Sequence, residues 1–164
     1  MYKRQLEYSS KGKGLLLSSI SGEKNSKVTV IGCGEVGRSS IHKSIQIGAS
    51  VTAIDINEDI LNELKNQYGE NITTLVSGSE SATNAIRSAD LVVGAVLLPG
   101  RKPPIVITEK DINSMEKGSV IVDVAIDQGG CVEGVKSNTH SKPFEIRNGV
   151  IVSAIANLPG AVPR

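Results

Sequence analysis

The sequence predicts an α/β fold: a doubly wound, mostly parallel sheet closed by a C-terminal β-hairpin. Three observations carry that expectation. From Lys27 onward, short β-branched runs alternate with amphipathic stretches, the signature of βαβ units on a parallel sheet. The first of those runs ends in a turn with regularly spaced glycines, KVTVIGCGEVG at 27–37, suited to a strand feeding straight into a helix. Further along, Asn148-Gly149 separates two apolar runs, the strongest short-range hairpin signal.

Each element has its own local reason. A strand centred on 28–31 delivers the chain to the glycine turn, and a helix follows over 35–47. The run SVTAID at 50–55 is the second strand. Asn57 is the expected N-cap of the next helix, with Glu58 and Asp59 placed to favour its positive end. Ile60, Leu61 and Leu64 form its apolar face, and Tyr68-Gly69 ends it. A third strand covers 72–76, and Ser79-Glu80 opens a helix through 86. The run 90–97 reads as a strand entering a loop with Pro99, Pro103 and Pro104, Asp90 capping its entrance. Thr108, with Asp111 three residues on, starts a short helix to Met115 that Gly118 closes. The fifth strand is 120–124. The last strand, beyond Asn148-Gly149, is expected to return to the sheet edge.

The 164 residues suit one domain of ordinary size. That domain is expected over 27–164, with 1–26 as an adapter-like start and connector. MYKRQ at 1–5 resembles a translated sequencing adapter. KGKG at 11–14 and SSISG at 18–22 bracket a short leucine run at 15–17. With no closing helix before Arg164, the chain is expected to be a fragment. Hydrophobic content of 39%, no long apolar run and no signal-like start predict a soluble, cytoplasmic chain. Two cysteines suit a reduced compartment. A net charge of +1, with one Phe, three Tyr and no Trp, argues against nucleic-acid or membrane partners. The sequence contains no HExxH, CxxC or paired carboxylates, so no metal site is expected.

The glycine turn and the acid that follows it define the first candidate site. A tight turn is needed at Gly32. Gly34 lets backbone approach a pyrophosphate, and Gly37 allows the helix to pack close to the strand. Asp55, 23 residues beyond Gly32, closes the second strand, where a carboxylate accepts the ribose hydroxyls of a dinucleotide. A carboxylate there repels a 2′-phosphate, and Ile56-Asn57-Glu58 brings no arginine to offset it, so NAD is favoured over NADP. In open parallel sheets ligands sit beyond the strand carboxyl ends, where three further loops converge: 77–79, 96–99 and 125–131. In the last of these, Asp127 either orients the nicotinamide ribose or carboxamide, holds a substrate ammonium, or merely initiates the turn Asp127-Gln-Gly-Gly130. Asp123, inside its strand, reads as structural. His42 reads as a surface or packing histidine, and His140 lies in a polar loop.

Five segments together resemble the alanine dehydrogenase family: KGLLL at 13–17, GAVLLPG at 94–100, VIVDVAIDQGGC at 120–131, THS at 139–141 and ANLPGAVP at 156–163. The resemblance covers 11–164. It implies reversible oxidative deamination of L-alanine to pyruvate and ammonia with hydride transfer to NAD. It also implies a phosphate turn of Gly32, Gly34, Glu35, Val36 and Gly37, with Asp55 the ribose-binding acid. Ser77, Val96 and Leu97 become adenine and ribose walls. Val124, Asp127, Asn157 and Leu158 fall on the nicotinamide side, Asp127 being the catalytic aspartate. The family's substrate-binding arginine and lysine and its acid-base histidine belong to an upstream domain that is missing here. The chain alone is therefore expected to bind NAD without turnover. Family members form homo-oligomers, so apolar surface is expected on 15–17 and 159–163. A transhydrogenase alpha-subunit fragment and a stand-alone NAD-sensing regulatory domain are the alternatives.

Overall fold

Lys27–Ile31 forms β1 and Ser50–Asp55 forms β2, joined through helix α1, Glu35–Gln46, in the first βαβ unit of a computed structural model that describes residues 11–15, 17 and 25–157. Helix α2, Glu58–Tyr68, leads through a 3-10 turn, Gly69–Asn71, to β3, Ile72–Val76. Next come α3, Glu80–Arg87, and β4, Leu91–Gly94. After them stand α4, Glu109–Ser114, β5, Val120–Asp123, a 3-10 turn at Ile126–Gln128, and the hairpin of β6, Glu145–Arg147, with β7, Val150–Ser153.

These strands make one seven-stranded sheet in the order β3-β2-β1-β4-β5-β7-β6. All neighbours are parallel except β6 and β7. The order reverses between β1 and β4, the switch point of a doubly wound sheet.

Side-chain alternation divides the core between the two faces. Val28, Val30, Val51, Ala53, Leu91, Val93, Val120, Val122 and Ile151 turn to one face, where Ile41 of α1 and Leu61 and Leu64 of α2 meet them. Ile31, Ile54, Val92, Ile121, Val150 and Val152 turn to the other, against Ile86 of α3 and Ile112 of α4. Each Val, Leu or Ile among them contributes about 1.5–3 kcal/mol on leaving water. The core is aliphatic, as a chain with one Phe and no Trp requires.

Three helices begin as the sequence indicates. Asn57 accepts the N–H of Asp59 and Ile60, Ser79 that of Ala82, and Thr108 forms a capping box with Asp111. Asn148 and Gly149 have φ of 48° and 83°, the left-handed pair that a two-residue hairpin turn needs. Asp90 accepts the Lys27 N–H and pairs with Lys13, so it does guard the strand entrance.

Three expectations are corrected. The last strand does not lie at the edge: β7 sits between β5 and β6 because Val150–Ser153 is buried throughout. The edge falls to β6, whose Glu145 and Arg147 flank an exposed Ile146. The fourth strand stops at Gly94 instead of running to 97, because its partner β1 ends at Ile31, whose carbonyl takes the last ladder bond from Ala95 N. Leu17 is buried in the core, not part of an exposed run. Residues 1–5, Leu16 and 159–163 lie outside the described residues.

Candidate functional site

The candidate site lies at the carboxyl ends of the central strands. Gly32 N donates to Ile54 O at 2.8 Å, tying the turn to β2. At Gly32, φ is 88° and a Cβ would stand 2.7 Å from Ala95 O, so the position requires glycine on both grounds. A Cβ at Gly37 would collide with Gly32 O, which sets the close approach of α1 to the turn. Gly34 differs from both, since a Cβ there would meet nothing within 4 Å. Open space therefore faces the one glycine of the three that the dinucleotide reading assigns to ligand approach.

Gly34 is also the N-cap of α1 and carries no side-chain cap, whereas α2, α3 and α4 each have one. The first N–H groups of α1 thus remain available, at the positive end of the helix dipole, for an anion.

Beside the turn, Asp55 is half-buried. One oxygen accepts Cys33 N–H at 2.6 Å and the other accepts Asn57 N–H at 2.9 Å. A carboxylate has about four lone-pair sites, so these two bonds leave acceptor capacity toward the cleft. That cleft has a volume of about 340 Å³ and its lining includes Gly32, Gly34, Asp55, Ile56, Val96 and Leu97. Ile56 is 78% exposed and Leu97 60% exposed, two apolar side chains standing in water at the rim.

A second cleft, of about 490 Å³, flanks α1 on the other side and is lined in part by Val36, Lys43, Leu91, Val93 and Val124. Glu35 is exposed in the first turn of α1, between a residue of each cleft. Ser77 lines neither, but its N–H donates to Asp55 O at 2.9 Å, which holds it next to the acid.

Asp127 is exposed in the 3-10 turn after β5 and accepts Asn157 N–H with both oxygens, at 2.9 and 3.2 Å. The structure therefore joins two residues that are thirty positions apart in sequence. Asn157 is in the left-handed region, with φ 50°. Leu158 lies outside the described residues. His42 packs at the surface against Tyr68, its Nδ1 3.2 Å from the Tyr68 hydroxyl, and His140 is exposed.

One feature escaped sequence reasoning, and another, the structural role of Asp123, is legible there only in outline. Pro104 and Val106 line the first cleft because the loop after β4 folds back, Val106 N donating to Cys131 O; nothing local announces that return. Asp123 gathers three main-chain N–H groups of its own loop, and its signal was a carboxylate inside an apolar strand, which must be satisfied if buried. Both cysteines are buried and free. Burial, reinforced by the Asp55 charge, pushes the Cys33 thiol up to about 12. Burial and then Asp123 raise that of Cys131 as well.

The strand order, the switch point and the glycine turn define an α/β domain of the doubly wound, dinucleotide-fold class. The chain belongs to the family described as alanine dehydrogenase/PNT, C-terminal domain, which matches residues 3–164. It is 47% identical over 160 residues to an alanine dehydrogenase of Bacillus subtilis (strain 168), covering 97% of this chain and 42% of that protein. An L-alanine dehydrogenase structure superimposes with a TM-score of 0.93 at 41% identity, covering 98% of this chain and 45% of the other. A transhydrogenase from Sinorhizobium meliloti superimposes with a TM-score of 0.74 at 26% identity, over 85% of this chain and 40% of that one. The chain thus spans about 42% of the length of the Bacillus subtilis relative. Among the described residues, no helix is long and apolar enough to cross a membrane.

Proposed function

We propose that residues 27–164 are the NAD-binding domain of an alanine dehydrogenase, the enzyme that converts L-alanine, NAD and water to pyruvate, ammonia and NADH. The observation that carries the reading is the uncapped, glycine-lined start of α1 opening beside Asp55, whose acceptor capacity is only partly used. The N–H groups there would hold the diphosphate, and Asp55 would accept the adenosine ribose hydroxyls. Val96, Leu97 and Ser77 would wall the adenine half, while Val124, Asp127, Asn157 and Leu158 would serve the nicotinamide half. When bound, the cofactor supplies the hydride acceptor.

Asp127 is the residue of this chain assigned to the reaction, either steadying the nicotinamide ribose or facing the substrate ammonium. Groups that grip the substrate carboxylate and move its proton would come from another domain of a homo-oligomeric parent. Hydride transfer needs the substrate carbon in near-attack geometry, so this domain alone binds and does not turn over. Residues 1–26 are its adapter-like start and connector. The free cysteines fit a reducing cytoplasm. Greater similarity to the L-alanine dehydrogenase structure than to the transhydrogenase favours the dehydrogenase reading, and the family match gives no support to a stand-alone sensor.

Titration with NADH, followed by nicotinamide fluorescence, tests the proposal. Saturable binding is expected for NADH and at least tenfold weaker binding for NADPH. Asp55→Ala should weaken NADH binding by about 10- to 100-fold, the worth of hydrogen bonds to a charged acceptor. NADPH binding as tight as NADH would overturn the specificity, and no binding of either would overturn the function. Incubation with L-alanine and NAD should give no NADH above background.

A further inference from the structure

The last residue of β5 bears on how the Asp127 loop is held. Asp123 is 0% exposed. Its Oδ1 accepts Ala125 N–H at 2.9 Å, while its Oδ2 accepts Cys131 N–H at 2.8 Å and Val132 N–H at 3.1 Å. The Cys131 thiol lies 3.5 Å from Oδ1. The loop that leaves β5 at Ala125 and returns at Val132 therefore closes on one buried carboxylate.

We propose that Asp123 is a positioning residue that fixes where Asp127 stands, and through it the nicotinamide side of the site; this rests on the dinucleotide reading above. Its neighbours are shaped to admit it. A Cβ at Gly130 would stand 2.8 Å from Asp123 Oδ2, and one at Gly94 would stand 2.5 Å from Cys131 Sγ. With both positions bare, the loop tightens into the 3-10 turn Ile126–Gln128, closed by Gln128 N and Gly130 N donating to Ala125 O. Asp127 emerges from that turn with its carboxylate on Asn157 N–H.

Only a carboxylate meets this demand. Three N–H donors converge on two oxygens, and an asparagine would offer one acceptor while turning its own N–H groups toward donors. Charge-assisted bonds to main chain also hold the loop more firmly than neutral ones. A catalytic group carried on a loop needs that kind of support if it is to stand in one place before the ligand arrives.

The test compares NADH with ADP, which lacks the nicotinamide and its ribose, on the unmodified chain, Asp123→Asn and Gly130→Ala. Both variants should bind NADH about tenfold more weakly, the equivalent of one lost hydrogen bond, and ADP as before. Amide hydrogen exchange at Asn157 in the ligand-free chain should lose its protection in both. Equal loss for the two ligands would make Asp123 a general stabiliser and overturn the proposal. So would unchanged NADH affinity with the Asn157 amide still protected. Should Asp123→Asn fail to fold, Gly130→Ala carries the test, since it crowds the same oxygen without removing it. If the unmodified chain binds neither ligand, the dinucleotide reading fails separately. The Asn157 amide then decides alone: protection retained in the variants overturns the positioning role, and protection lost supports it.

Discussion

Asp55 and Asp123 end two strands of the same sheet and use the same device to different ends. Each accepts the N–H two residues on, from Asn57 or Ala125, and each reaches a cysteine N–H, from Cys33 or Cys131. The difference is burial. Asp55 is half-exposed at a cleft and has lone pairs to spare, whereas Asp123 is sealed and takes a third N–H, from Val132. One carboxylate therefore opens on a cleft, and the other holds the loop on which a third, Asp127, is presented. The residue type and the local turn are common to both; access to solvent assigns the role.

The sharpest way to break the comparison is at the glycines beside Asp55. Gly37→Ala drives a methyl group into Gly32 O, which is backbone and cannot yield. It should cost about 3 kcal/mol or more, the upper end for overpacking, read from the midpoint of denaturant unfolding, and should abolish NADH binding. Gly34→Ala is the contrast. With φ at −71° and open space around it, stability should fall by only about 1 kcal/mol, the difference between Gly and Ala at an N-cap. NADH affinity should still fall, because the added methyl occupies the approach to the α1 N–H groups. If Gly34→Ala binds NADH normally, the diphosphate does not lie there and the assignment of Asp55 to the ribose loses its support.

That contrast also explains what the sequence made legible. The close approaches at Gly32 and Gly37 and the open space at Gly34 depend on neighbours close in the chain or on the adjoining strand, so spacing alone announces them. Helix starts at Asn57, Ser79 and Thr108 are legible for the same reason, each cap acting within three residues. The hairpin turn is equally local, but the place of its strands is not. Putting β7 inside the sheet depends on β5 accepting it as a parallel neighbour, and the charged ends of β6 mark the true edge only once both strands are compared. Asp123 is the same kind of case. Its strand-end position is visible, yet its partners Cys131 and Val132 lie eight and nine residues on, beyond any local pattern. The link between Asp127 and Asn157 is longer still.

The two cysteines offer a milder test of the same comparison. With Cys33 held up to about 12 by burial and Asp55, roughly one thiol in ten thousand is ionised at pH 8. A chromogenic disulfide reagent should therefore leave both cysteines of the folded chain unmodified for minutes and react fully on unfolding. Loosening each loop separately sharpens the result. Asp55→Ala should expose Cys33 to the reagent and leave Cys131 protected, and Asp123→Asn should do the reverse. Simultaneous release of both thiols in either variant would mean that the loops open together, and the division of labour between the two aspartates would fail.

The smallest effect is expected at Asp111, whose carboxylate also accepts main-chain N–H but has a cation beside it. Burial alone would raise its pKa; hydrogen bonds from Thr108 and from Arg87, whose Nη2 is 3.1 Å from Oδ1, outweigh burial and leave the group below its usual 3.8. A carboxyl lowered by folding stabilises the folded state above the unfolded pKa, and that contribution is lost as pH falls through the folded pKa. Unfolding midpoints should accordingly drop below pH 4. Arg87→Gln should reduce that drop by less than about 1 kcal/mol, because the guanidinium is partly solvated. If Arg87→Gln leaves the acid limb unchanged, Thr108 alone holds the charge. Asp111 would then join Asp55 and Asp123 as a carboxylate held by hydrogen-bond donors without help from a cation.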